Sequence, residues 1–335
     1  MRITRDLLER IAETTIEERV KDDPTIVAAY LHGSVLEGFE PVLGGTADID
    51  LVFVHDKFDG EREIIRMTED VTLDIVHHSK SIYQPPKDLR QRPWLGNTVF
   101  ICKPVYDPDH FITFTQASVR GLFHNYENVL ARSQELLNRG RATWLNFHNR
   151  PYEFGPEQVT AYLQAIEDAA NAVSNLVGQL LAERRFLVNF GARVQELKQP
   201  DLYYDWVALL AGENFIDKVE SVDAKEEVKS WMLDWQANFK QINEGYETPP
   251  GLHTHRLAYY MRAFETMLLS EQPESLLWPL IHSWTKMART MPSQMGEWRT
   301  VCEDLGLMGP QFEDRLDQLD AYLDAVEILL EKWEP

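Results

Sequence analysis

Asp48-Ile49-Asp50-Leu51-Val52-Phe53-Val54 pairs acidic residues with apolar, largely β-branched and aromatic ones, which predicts a strand. Side chains of a strand alternate between its faces. Asp48 and Asp50 therefore share one face, and Ile49, Leu51 and Phe53 share the other, free to pack on helices. Two carboxylates at adjacent positions of one face repel and are hard to keep ionised together. A bound divalent cation removes that conflict, and hard oxygen donors of this kind suit Mg²⁺, which brings its own waters and phosphate oxygens. Leu73-Asp74-Ile75-Val76 predicts another apolar strand carrying a carboxylate. If it neighbours the first, Asp74 completes a three-carboxylate cluster, of a kind that holds two metals about 3.5–4 Å apart for in-line displacement at phosphorus.

Upstream lies Leu31-His32-Gly33-Ser34, at the end of the apolar run Ile26 to Leu31, and 13 residues, Val35 to Ala47, separate it from Asp48. Glycine lets a phosphate approach the backbone as a side chain would not. A helix starting near Ser34 would add free N–H groups and a dipole that favour an anion, and the Ser34 hydroxyl offers one more donor. Phosphate cradling beside a metal-binding strand describes a nucleoside triphosphate site.

The rest of the chain sets these motifs in a frame. Residues 4–20 have helical period through Leu7, Leu8, Ile11, Ile16 and Val20, and Asp22-Asp23-Pro24 ends it. Further strands are expected at 61–66 and 72–77, joined as a hairpin, and at 98–105, where Pro104 points to a sheet edge. Pro85-Pro86 opens a loop. Beyond Phe111 the strand signals nearly stop, and helical period runs through 112–139, 156–188, 223–242, 254–270, 273–289 and 311–332. The expectation is an α+β chain: a small mixed sheet with flanking helices over 1–110, then an all-helical domain over 111–335, with room for two subdomains. Its 335 residues suffice for more than one core.

Charge and composition exclude several classes. Lys+Arg number 33 against 54 Asp+Glu, a net charge of −21, so there is no net field to hold a polynucleotide. Metal ions and cationic small molecules fit the sign. No run approaches 18 apolar residues, so no membrane span is expected, and Met1 to Glu13 lacks the apolar core of a secretory signal. Two cysteines, Cys102 and Cys302, make no disulfide framework, which points to a reducing, cytoplasmic compartment.

Taken in order, Gly33-Ser34, the spacer, Asp48-Ile49-Asp50-Leu51 and Asp74 resemble the signature of the polymerase-β-type nucleotidyltransferase superfamily. The small α/β head followed by helices is most similar to its aminoglycoside-type, small-molecule branch. The resemblance covers residues 25–107. It implies that Asp48 and Asp50 bind two Mg²⁺ ions, and that Asp74 ligates one and helps to deprotonate the acceptor hydroxyl. It further implies that Gly33 and Ser34 hold the β- and γ-phosphates of a nucleoside triphosphate, ATP by family habit, while no residue here reads the base. A hydroxyl of a small molecule, such as an aminoglycoside-like polycation, would receive the nucleotidyl group. Ala47 stands where these families often have Ser, His32 where they have an apolar or aromatic residue, and Gly44-Gly45-Thr46 loosens a long spacer. Two rival readings keep the fold: transfer of AMP to a protein side chain, and a degenerate nucleotide-binding regulator without catalysis.

Other chemistry-bearing residues read more plainly. His77-His78 are neighbours on a strand and face opposite ways. His253-x-His255 fits a helix start better than a zinc site. Trp206, Trp231, Trp235, Trp278, Trp284, Trp298 and Trp333 fall in helical segments and read as core anchors. Glu183-Arg184-Arg185 reads as a solvated helix face with the alternative of reaching a triphosphate, and Glu167-Asp168 offers a second base or a hold on a cationic substrate.

Overall fold

The computed structural model describes residues 3–36, 43–58, 60–212, 215 and 221–334. The chain divides into two compact units, Met1–Val129 and Leu130–Pro335. The first holds a five-stranded mixed sheet with flanking helices, and the second is helical. Residues 37–42 of the spacer before Asp48 lie outside the described residues.

In the first unit, α1 (Arg5–Asp22) opens at Thr4, whose hydroxyl accepts from the Leu7 N–H. The strands are β1 (Ile26–His32), β2 (Ala47–His55), β3 (Glu63–Arg66), β4 (Val71–Ser79) and β5 (Lys103–Tyr106), in the order β3-β4-β2-β1-β5. β2 and β4 are parallel, and the other pairs are antiparallel. The period-2 pattern decides the layers. Leu31, Ile49, Leu51, Phe53, Leu73 and Ile75 share one face and bury Leu8, Ala12 and Ile16 of α1 against it. Tyr30, Val52 and Val54 face the other way, onto Val99 of α2 (Pro93–Ile101) and Ile112 and Val119 of α3 (Phe111–Arg120). Each such aliphatic side chain contributes roughly 1.5–3 kcal/mol of transfer free energy when fully buried.

One expected strand and two expected helices change here. The strand expected over 98–105 is two elements: residues 98–101 end α2, and only Lys103–Tyr106 pairs in the sheet. Pro93 at the first helical position pre-sets the helix, and it carries the apolar run Val99-Phe100-Ile101 onto the sheet. The edge position of β5 agrees with Pro104. α3 caps the sheet through Ile112 and Val119, so it belongs with the first unit, which runs to Val129. The expected 112–139 helix breaks between α3 and α4 (Tyr126–Asn149), and the helix expected over 156–188 ends at Ser174, with a new helix starting at Phe186.

The second unit contains α5 (Pro156–Ser174), α6 (Phe186–Glu196), α7 (Asp201–Ala211), α8 (Val222–Gly245), α9 (Leu257–Leu268), α10 (Leu277–Thr290), α11 (Gly296–Asp304) and α12 (Phe312–Lys332). Trp206, Trp235, Trp278, Trp284 and Trp298 are among its largest fully buried side chains, as expected of anchors. A buried indole N–H needs an acceptor. Trp206 donates to the Ile166 carbonyl at 2.7 Å, Trp284 to Asn238 Oδ1 at 2.6 Å, and Trp235 to Ser283 Oγ at 2.9 Å. Trp333 lies half-buried at the end of α12. No helix among the described residues is long and apolar enough to cross a membrane.

Candidate active site

The register brings the motif residues to one face of three neighbouring strands. His32 of β1 lies opposite Asp50 of β2, Asp50 lies opposite Asp74 of β4, and Asp48 lies opposite Thr72. Partners in register share a face, so Asp48, Asp50 and Asp74 line the face on which Val52 and Tyr30 pack further along. Asp48 and Asp74 are buried, and Asp50 is half-buried.

Gly33 leaves β1 with φ +76°, a backbone region that L side chains seldom adopt, and a Cβ there would collide with the Asp50 carboxylate. The close approach of β1 to Asp50 therefore requires glycine. Gly33→Ala is expected to cost about 1–3 kcal/mol in the thermal unfolding of the full chain, and an unchanged midpoint would contradict the tight turn. Ser34 is exposed beside it. The backbone continues as a single 3₁₀ turn, Gly33–Val35, rather than a longer helix among the described residues. Any phosphate binding here rests on the bare backbone and the Ser34 hydroxyl, since one short turn carries little dipole.

His32 sits within this arrangement. Burial pushes its imidazole down to about 4, against the opposing pull of Asp74. It is therefore a neutral ring at physiological pH.

The carboxylates already have partners. Arg62 Nε donates to Asp74 Oδ1 at 2.6 Å, and the Arg62 Nη2 bonds Asp74 Oδ2. Thr72 Oγ1 donates to Asp48 Oδ1. No group of three or more His, Cys, Asp or Glu residues among the described residues stands at metal-holding spacing. The donor set still fits Mg²⁺ in kind, being hard carboxylate oxygen beside a glycine turn. Sequence reasoning missed both partners. Arg62 is just one charge in an acidic loop, and only the strand pairing brings it to Asp74.

The other sequence candidates fall elsewhere. His77 and His78 do face opposite ways: His77 contacts His55 and Glu63, whereas His78 Nδ1 lies 2.7 Å from the Tyr83 hydroxyl. His253 caps a short turn, its Nδ1 accepting from the His255 N–H at 3.3 Å. Glu183, Arg184 and Arg185 do not form a solvated face: Arg184 is buried and donates to the Tyr259 carbonyl at 2.8 Å. Glu167 and Asp168 are buried on α5. Burial, with Asp168 beside it, raises Glu167 to about 7, and burial raises Asp168 to about 6 against the bidentate hold of Arg139.

No protein-family model matches the chain, and no curated protein is significantly similar to it.

Proposed function

We propose that the chain is a metal-dependent nucleotidyltransferase that moves a nucleoside monophosphate, from ATP or another nucleoside triphosphate, to a hydroxyl of a small molecule. The observation that carries this reading is the alignment of Asp48, Asp50 and Asp74 on one sheet face beside the Gly33 turn. Asp48, Asp50 and Asp74 would hold Mg²⁺, which supplies charge neutralisation on the triphosphate when bound. Gly33 and Ser34 would receive the β- and γ-phosphates. The acceptor hydroxyl gives its proton to Asp74 once Arg62 has left that carboxylate. Its oxygen forms the bond to the α-phosphorus, the bond to the bridging oxygen breaks, and pyrophosphate leaves. Positioning and electrostatic preorganisation would supply most of the rate. The net charge of −21 supports a cationic acceptor of the aminoglycoside kind and disfavours a polynucleotide.

One observation favours a second reading. Asp74 is held at both oxygens by Arg62, which suits a nucleotide-binding regulator without turnover. The position of a radiolabel separates the two. With Mg²⁺ and a panel of polycationic alcohols, label from the α-phosphate should enter the acceptor while γ-label is released as pyrophosphate. Label that is bound and returned as intact triphosphate with every acceptor would favour the regulator, and γ-label on the acceptor would overturn nucleotidyl transfer.

A further inference from the structure

On the sheet face opposite the three aspartates, six side chains form one hydrogen-bonded chain. Thr25 Oγ1 lies 2.6 Å from Asp23 Oδ1 and 2.9 Å from His55 Nδ1. His55 Nε2 lies 2.9 Å from His77 Nδ1, and His77 Nε2 lies 2.9 Å from Glu63 Oε1. Arg19 Nη2 donates to Glu63 Oε2 at 2.6 Å. The chain ties the end of α1 and the α1–β1 connection to β2, β4 and β3.

Four contacts lie between the Asp23 and Glu63 carboxylates, and each needs one hydrogen. The Thr25 hydroxyl brings one, and a neutral imidazole brings one each at His55 and His77. Three hydrogens cannot fill four contacts, whichever tautomers are chosen. Both carboxylates are held below their ordinary values, Asp23 chiefly by Thr25, and Glu63 by His77 and Arg19 against the opposing effect of burial. The fourth hydrogen therefore belongs to the histidines. Glu63 of β3 bonds the His77 ring, Asp23 of the α1–β1 connection lies 3.9 Å from His55 Nδ1, and Arg19 of α1 reaches the pair through Glu63. The Phe53 and Phe58 rings complete the surround.

Consecutive strand residues point to opposite faces. Glu63 reaches the histidines, and its neighbour Arg62 reaches Asp74 on the aspartate face. We propose that His55 and His77 share one proton beyond neutrality, and that this proton clasps β3 to the sheet and so keeps Arg62 on Asp74. Raising the pH removes the proton, leaves one contact without a hydrogen, frees the start of β3 and loosens Arg62. The proton count stands alone, whereas the meaning of an uncovered Asp74 rests on the nucleotidyltransferase reading.

The test is long-range ¹⁵N–¹H NMR of the histidine rings in the full chain, from mildly acidic to mildly alkaline pH. The expected result is three ring protons on the pair in acid and two in alkali. As the third is lost, exchange of the Ile65 amide, which faces β4 in the register, should rise roughly tenfold relative to β2–β4 amides, and the Arg62 Nε–H resonance should weaken. In Glu63→Gln the amide N–H supplies the fourth hydrogen, so the pair should hold two protons throughout and β3 exchange should stay flat. Thr25→Val removes the two contacts at the hydroxyl, so two neutral rings can fill the two that remain; this variant should also hold two ring protons throughout, and it guards against a folding defect in the first. Two neutral rings throughout in the wild type would overturn the proposal, as would β3 exchange that ignores the proton. None of these readouts needs metal or nucleotide, so a failed transfer assay leaves the clasp standing, and a flat β3 in a working enzyme removes the clasp alone.

Discussion

The double substitution Asp48→Asn, Asp50→Asn is expected to abolish Mg²⁺-dependent nucleoside triphosphate binding while leaving the fold intact. Asparagine keeps the shape and an acceptor oxygen at each site, so residue 48 can still accept from Thr72 Oγ1 and β2 keeps its place between β1 and β4. What disappears is two negative charges from one strand face. Removing only an outer partner of a metal ligand typically weakens metal affinity by about 10–100-fold. Removing the ligands themselves should reach at least the upper end of that range. Calorimetry with Mg²⁺ and a non-hydrolysable triphosphate reads the affinity, and circular dichroism confirms the fold. Unchanged binding would sink the metal site at Asp48 and Asp50.

In the second unit, Glu167→Gln is expected to make stability less sensitive to pH. The native carboxyl titrates near 7, against an ordinary value of 4.5. Between those values the folded chain binds more protons than the unfolded one, so stability falls as pH rises through the window and levels off above it. The gap bounds the contribution at about 3 kcal/mol. Asp168, raised to about 6, adds a slope of the same sign that ends lower. Glutamine retains the acceptor that Glu167 presents to Gln164 Nε2, 3.2 Å away, and carries no charge. The variant should therefore be the more stable protein in mildly alkaline buffer, by roughly 1–3 kcal/mol, and nearly equal to the wild type near pH 4.5. Denaturant unfolding monitored by tryptophan fluorescence measures this, because Trp206 donates to the Ile166 carbonyl next to Glu167. Wild type and variant running parallel across the window would contradict the buried, proton-hungry carboxyl.

The strands around the aspartates were legible because period 2 is written directly in Asp48 to Val54 and in Leu73 to Val76. So was the hairpin of β3 and β4, whose turn brings Met67 N–H to the Val71 carbonyl at 3.0 Å. Long helices such as α8 and α12 fell close to their expected spans for the same reason, with 3.6-residue period and plain Gly and Pro stops. Residues 98–105 misled because a short apolar run fits a strand and a buried helix equally, and Pro93 decided the matter from outside the run. Of the candidate site, the three acids and Gly33 were visible as a motif. Arg62 on Asp74, Thr72 on Asp48 and the His55–His77 pair were not, since each depends on pairing between strands distant in sequence. The burial of Arg184 was hidden for a similar reason: a charge run shows its composition and says nothing of what packs over it.

The most direct test of the central claim is where a paramagnetic ion binds. Mn²⁺ added to the full chain with a non-hydrolysable nucleoside triphosphate should broaden the backbone amide resonances of Gly33, Ser34, Asp48, Asp50 and Asp74 first. Amides at the far end of the same strands, such as His55 and Ser79, should persist. Broadening that ignores these five residues, or that centres on the second unit, would contradict a nucleotidyl-transfer site on this sheet.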